Sequence, residues 1–239
     1  MSPIIALDFP TIEETTAFLE RFKGVRPLTV KIGMELFYGV GPRAVGGVML
    51  QGDVNVFLDL KLHDIPHTVE RAAYQIGRMG VQLTTAHAAG GSEMLAAAKR
   101  GLLAGAAESG FPAPKLLAIT QLTSTSPAMM HNELQIPGPV ADSVQHLAAI
   151  AQAAGADGVV ASAQEAPLIR AITRPDFLIV TPGIRPAGSE KGDQVRTTTP
   201  AQAAQLGSSA IVVGRPITQA ADPVKAFKQI GRQWRRANE

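Results

Sequence analysis

A chain of 239 residues with 46% hydrophobic content and no cysteine has ample apolar material for a core, and neither a disulfide nor a thiolate metal site is open to it. Its 22 Lys and Arg stand against 20 Asp and Glu, a formal net charge of +2, which is too small an excess to indicate a nucleic-acid partner or an acidic membrane surface. No apolar run is long enough to span a bilayer, and residues 1–8 lack the basic segment and long apolar core of a signal peptide, so the chain reads as soluble and cytoplasmic.

Short β-branched or apolar runs at residues 4–7, 28–32, 54–60, 81–86, 116–120, 158–161, 177–180 and 210–213 predict eight strands. Helical spacing at residues 11–22, 66–79, 93–107, 140–154, 164–172, 200–206 and 223–234 alternates with them. Eight such units predict an α/β protein, a (β/α)8 TIM barrel forming a single domain over residues 1–239, since about 250 residues is typical of that fold. A doubly wound open sheet is the competing architecture. Proline and glycine clusters fall at strand-to-helix junctions and leave no linker. Gly39-Val40-Gly41-Pro42 does not directly follow a strand and carries a proline, so it reads as a helix break rather than a nucleotide fingerprint.

The third strand and the helix after it, residues 54–70 (VNVFLDLKLHDIPHTVE), concentrate charge at a strand end. Val54, Val56, Leu58 and Leu60 alternate with Asn55, Phe57, Asp59 and Lys61, which puts Asp59 and Lys61 on one face roughly 6–7 Å apart. Pro66 suits the first position of a helix, and Asp64 lies in the turn before it. Carboxylate, ammonium and carboxylate at the carboxyl end of a strand make a proton-handling site. A structural ion pair beside an ordinary helix start is the competing reading of D-x-K-x-x-D alone.

In a barrel, chemistry belongs at the carboxyl ends of strands. Asp8 closes the first strand, Lys31 the second, Asp59 and Lys61 the third; His87 follows the fourth, Thr123-Ser124 the fifth, Pro182-Gly183 the seventh and Gly214-Arg215 the eighth. Val213-Gly214-Arg215-Pro216-Ile217 offers freed backbone N–H groups, a guanidinium and a proline able to open a short helix, which suits phosphate better than a plain surface turn. Thr181-Pro182-Gly183-Ile184-Arg185-Pro186 leads into a polar stretch at residues 187–195 with the length of a lid. His87 reads as a packing residue, and His63 and His67 flank the central turn without a metal triad. Phe227, Ile230 and Trp234 mark an amphipathic closing helix with a solvated basic face.

Several strings, in order and over nearly the whole chain, resemble the orotidine 5'-phosphate decarboxylase family. They are Ala6-Leu7-Asp8, Val30-Lys31-Ile32-Gly33, Asp59-Leu60-Lys61-Leu62-His63-Asp64-Ile65-Pro66, His87-Ala88, Leu122-Thr123-Ser124, Thr181-Pro182-Gly183-Ile184-Arg185 and Val213-Gly214-Arg215-Pro216-Ile217. The resemblance implies decarboxylation of orotidine 5'-phosphate to uridine 5'-phosphate in pyrimidine nucleotide biosynthesis, with no cofactor and no metal, by a homodimer with a shared active site. It implies that Lys31, Asp59, Lys61 and Asp64 form a charged network, with Asp64 given to the neighbouring subunit's site. Lys61 would protonate C6 of the pyrimidine as carbon dioxide leaves, and Asp59 would lie against the substrate carboxylate. By the same resemblance Asp8 and Lys31 hold the ribose, joined by Ile65 and Thr68 from across the interface. Thr123 and Ser124 meet the pyrimidine, while Arg185, Gln194, Gly214 and Arg215 grip the phosphate. Sister enzymes share the D-x-K-x-x-D core, so a magnesium-dependent sugar-phosphate aldolase or decarboxylase is the alternative. A phosphate-ligand-binding barrel without catalysis is a third reading. Thr123-Ser124 and Gln194 favour the nucleotide.

Overall fold

The computed structural model describes residues 2–186 and 197–237. Eight parallel strands pair in chain order: β1 (Ile4–Leu7), β2 (Leu28–Ile32), β3 (Val54–Leu62), β4 (Leu83–His87), β5 (Lys115–Ile119), β6 (Gly158–Val160), β7 (Leu178–Thr181) and β8 (Ala210–Val213). β1 pairs with both β2 and β8, so the sheet closes into a TIM barrel and the open-sheet architecture is ruled out.

The strands read as nearly continuous apolar runs because both of their faces are buried. Inward-pointing Ile4, Ala6, Phe57, Leu83, Leu117, Val180, Ala210 and Val212 fill the barrel. Their neighbours, among them Ile5, Leu7, Val56 and Leu58, face outward into a second apolar layer shared with the helices. The alternation expected along residues 54–60 therefore separates two apolar environments, with Phe57 and Asp59 on the inner side.

The helices are α1 (Ile12–Glu20), α2 (Met34–Val40), α3 (Arg43–Met49), α4 (Pro66–Gly77), α5 (Gly91–Ser109), α6 (Pro127–Asn132), α7 (Val140–Ala153), α8 (Ala166–Arg170), α9 (Pro200–Gln205), α10 (Arg215–Thr218) and α11 (Pro223–Arg236). Thr11, Ser126, Thr199 and Asp222 cap α1, α6, α9 and α11 through side-chain oxygens that accept free N–H groups of the first turn. Gly41, at φ 77°, terminates α2 and Pro42 opens α3, which is the helix break expected at that glycine pair. The helices on either side of the break are additional to the sequence expectation, as is α6.

α4 and α5 lie in backbone contact. A Cβ at Gly77, Gly101 or Gly105 would run into the carbonyl oxygen of Leu102, Glu70 or Tyr74 on the opposite helix. α11 buries Phe227, Ile230 and Trp234, and Phe227 meets Phe22 edge-on at 5.8 Å, as an amphipathic closing helix requires.

Candidate active site

Regular pairing between β3 and β4 stops where the charged residues begin. Phe57 pairs with Leu83 and Leu58 with Thr84, but the next pair is Leu62 with Ala86, so β3 advances four residues while β4 advances two. This bulge places Lys61 at φ 54°, a left-handed conformation costing a non-glycine residue on the order of 1–2 kcal/mol. Strict alternation, expected to carry both charges onto one face, thus does not extend to Lys61. Its side chain reaches the same cavity as Asp59 by way of the bulge.

The strand ends bring four charges together. Asp59 Oδ2 lies 3.0 Å from Lys61 Nζ and 3.6 Å from Lys31 Nζ, and Lys31 Nζ lies 3.4 Å from Asp8 Oδ1. Asp59 is only 8% exposed, so its carboxylate requires these partners. Its other oxygen, Oδ1, accepts a hydrogen bond from the Thr85 hydroxyl at 2.9 Å. Gly33, directly after β2, leaves room for the array, since a Cβ there would sit 3.0 Å from Lys31 Nζ.

Asp8, Lys31, Asp59 and Lys61 line a cavity of about 290 Å³ at the carboxyl-terminal mouth of the barrel, shared with Thr123, Arg185, Gly214 and Arg215. Lys31, Lys61, Arg185 and Arg215 outnumber Asp8 and Asp59 by two charges, which suits a ligand carrying a phosphate. The Arg185 N–H donates to the Thr198 carbonyl at 3.0 Å and the Thr198 N–H to the Gly183 carbonyl at 3.3 Å. The chain on both sides of the expected lid is thereby tied at the cavity rim. The lid residues 187–195, and with them Gln194, lie outside the described residues.

Asp64, Ile65 and Thr68 do not join the array within one chain. All three are exposed and none lines the cavity, and Asp64 Oδ1 accepts the Ile65 N–H at 2.7 Å. Ser124 is also exposed and outside the lining, while its neighbour Thr123 lies within it. Gln121 lines the cavity and was not expected there; its position two residues past the end of β5 is that of a rim residue. Its side-chain amide donates to Ser143 Oγ at 2.9 Å.

His87 packs its ring 5.3 Å from that of His63. Burial holds its pKa below the usual histidine value, with His63 and Lys61 pushing the same way and Asp59 opposing. Among the described residues no group of three His, Asp or Glu side chains is arranged to hold a metal ion.

A closed parallel barrel with a Lys-Asp-Lys array and two arginines at its carboxyl-terminal mouth defines a TIM-barrel site for an anionic, phosphate-bearing small molecule. The chain belongs to the orotidine 5'-phosphate decarboxylase / HUMPS family, whose model matches residues 1–230. It is 58% identical over 231 residues to the orotidine 5'-phosphate decarboxylase of Lactiplantibacillus plantarum, covering 97% of each chain. It is 53% identical over 232 residues to that of Enterococcus faecalis, again covering 97% of each. Among solved structures, orotidine 5'-phosphate decarboxylase from Lactobacillus acidophilus superposes with a TM-score of 0.87 at 43% identity, over 98% of this chain and 99% of that one.

Proposed function

We infer that this protein decarboxylates orotidine 5'-phosphate to uridine 5'-phosphate and carbon dioxide in pyrimidine nucleotide biosynthesis. The full-length identity to decarboxylases supports the reaction. The observation that carries the mechanism is the buried Asp59 carboxylate with the Lys61 and Lys31 ammonium groups at 3.0 and 3.6 Å.

In this reading the bond from C6 to the carboxylate breaks, carbon dioxide departs and the electron pair stays on C6. The Lys61 ammonium stabilises that developing charge and then delivers a proton to C6; water returns the proton to Lys61. Asp59 holds Lys61 and Lys31 together and lies against the substrate carboxylate. Asp8 and Lys31 hold the ribose, and Thr123 and Ser124 meet the pyrimidine. Arg185, Gln194, Gly214 and Arg215 take the phosphate, whose binding energy aligns C6 with Lys61.

The active form is a homodimer working in the cytoplasm. Asp64, Ile65 and Thr68 supply the support for the dimer: they sit outside this chain's own cavity, and apolar Ile65 is 66% exposed directly after the central array. They complete the neighbouring subunit's site. Mixing Asp64→Ala and Lys61→Ala proteins regains activity if the site is shared; no regain after verified subunit exchange removes Asp64 from the partner's site.

Carbon dioxide release from orotidine 5'-phosphate is the direct test, with chelator present and Lys61→Ala alongside. Turnover that survives the chelator and collapses in the variant is expected. A folded wild-type protein that leaves this substrate untouched and instead turns over a sugar phosphate with magnesium would overturn the reading.

A further inference from the structure

The bulge that strains Lys61 is held by a residue of the neighbouring strand. Between the pairs Leu58 with Thr84 and Leu62 with Ala86, β3 supplies Asp59, Leu60 and Lys61, whereas β4 supplies Thr85 alone. The Lys61 N–H donates to Thr85 Oγ1 at 2.9 Å, and the same hydroxyl donates to Asp59 Oδ1 at 2.9 Å. Thr85 is fully buried and is not part of the cavity lining, so a bound substrate does not meet it directly.

Proton count fixes the direction of both bonds. A backbone N–H can only donate and therefore occupies a lone pair of the hydroxyl; an ionised carboxylate can only accept. The single Thr85 proton is thus committed to Asp59 Oδ1. With Oδ1 engaged, Oδ2 is the oxygen turned toward the two ammonium groups, at 3.0 Å from Lys61 Nζ and 3.6 Å from Lys31 Nζ. One hydroxyl therefore clamps the left-handed backbone from which the Lys61 side chain departs and the rotation of the carboxylate that this side chain meets.

We propose that Thr85 is a positioning residue, whose hydroxyl sets the Lys61–Asp59 geometry without touching substrate. Its effect on turnover rests on the decarboxylase reading; its effect on geometry does not. Sequence spacing gives no sign of this role, because the residues it joins lie 24 and 26 positions away. Displacement of a reacting group by roughly 1 Å costs about a hundredfold in rate, so loss of the clamp falls on kcat more than on KM.

The test compares Thr85→Val, which keeps the shape and removes the hydroxyl, with Thr85→Ser, which keeps the hydroxyl. For Thr85→Val, kcat for orotidine 5'-phosphate is expected to fall roughly 10- to 100-fold with KM changed less than about threefold, while Thr85→Ser stays within about threefold of wild type. The crystal structure of Thr85→Val should show the Asp59 carboxylate rotated and its contact with Lys61 lengthened. Three results would overturn the proposal: wild-type kcat in Thr85→Val, an unaltered Lys61–Asp59 contact in its structure, or an equal loss in Thr85→Ser. Wild-type protein without turnover would defeat the decarboxylase reading alone, and the structural comparison would still decide on Thr85. If Thr85→Val does not fold, Thr85→Cys, with a thiol that is a weak donor and acceptor, takes its place in both measurements with the same expected direction.

Discussion

The two mouths of the barrel each hold a cavity, of about 290 Å³ at the carboxyl end and about 450 Å³ at the amino end, and the smaller one gathers the charge. The carboxyl-end cavity gathers Asp8, Lys31, Asp59, Lys61, Arg185 and Arg215. The amino-end cavity has Lys115 as its charged lining residue, with Thr29, Asn55 and Gln82, over a floor of Leu83, Leu178, Val180 and Ala210 that belongs to the barrel's inner core. Volume does not separate a site from a void here. Convergent charge at the carboxyl ends of the strands and just beyond them does, because there side chains reach the barrel mouth and need not fill its core.

The sharpest way to probe this contrast is to remove Lys61, the proposed proton donor. Lys61→Ala is expected to lower kcat/KM by at least about a thousandfold, combining the loss of a general acid with that of a fixed cation beside C6. A folded variant retaining a tenth of the activity would move the chemistry elsewhere. Arg215→Ala removes the proposed charge-assisted contact to phosphate, a kind of bond worth about 1.5–3 kcal/mol, and should reduce kcat/KM by roughly 10- to 100-fold in steady-state kinetics. An unchanged value would detach the arginine from the anion site.

A smaller effect is expected in stability at His87. Its folded pKa lies below the ordinary histidine value of 6.5, so the unfolded chain binds the proton more readily. The neutral ring's contribution to stability is therefore complete above about pH 6.5 and declines as pH falls toward the folded pKa. His87→Gln should flatten the acid-side fall of urea-unfolding stability over that window; an unchanged slope would show that this histidine is not the titrating group. The smallest effect tests the opposite mouth. Lys115→Ala should leave kcat/KM within about twofold of wild type, as expected of a surface charge remote from the site. A tenfold change would couple the two cavities and end the contrast.

Much of this was legible in residue pattern. The strands run apolar because both faces are buried, so their positions could be read to within a few residues, and the alternation of strand and helix was enough for a barrel. α2 and α3 leave no periodic signal because each is only seven residues long and contains glycine. At the site, Asp8, Lys31, Asp59 and Lys61 were marked by their places at strand ends, and the cavity joins them. Gln121 carries no such mark, since where β5 stops and its loop turns is set by contacts with neighbouring strands rather than by composition.

Local chemistry in the chain was sufficient for the barrel class, for the charged string at residues 59–64 and for the arginines that suit a phosphate. What came from packing is the break in register between β3 and β4, the left-handed turn at Lys61 and the role of Thr85. The physical reason is that a strand's own residues carry a period of two but not the register of its partner. A bulge exists only as a mismatch between two strands, and the hydroxyl that fills it belongs to the other one.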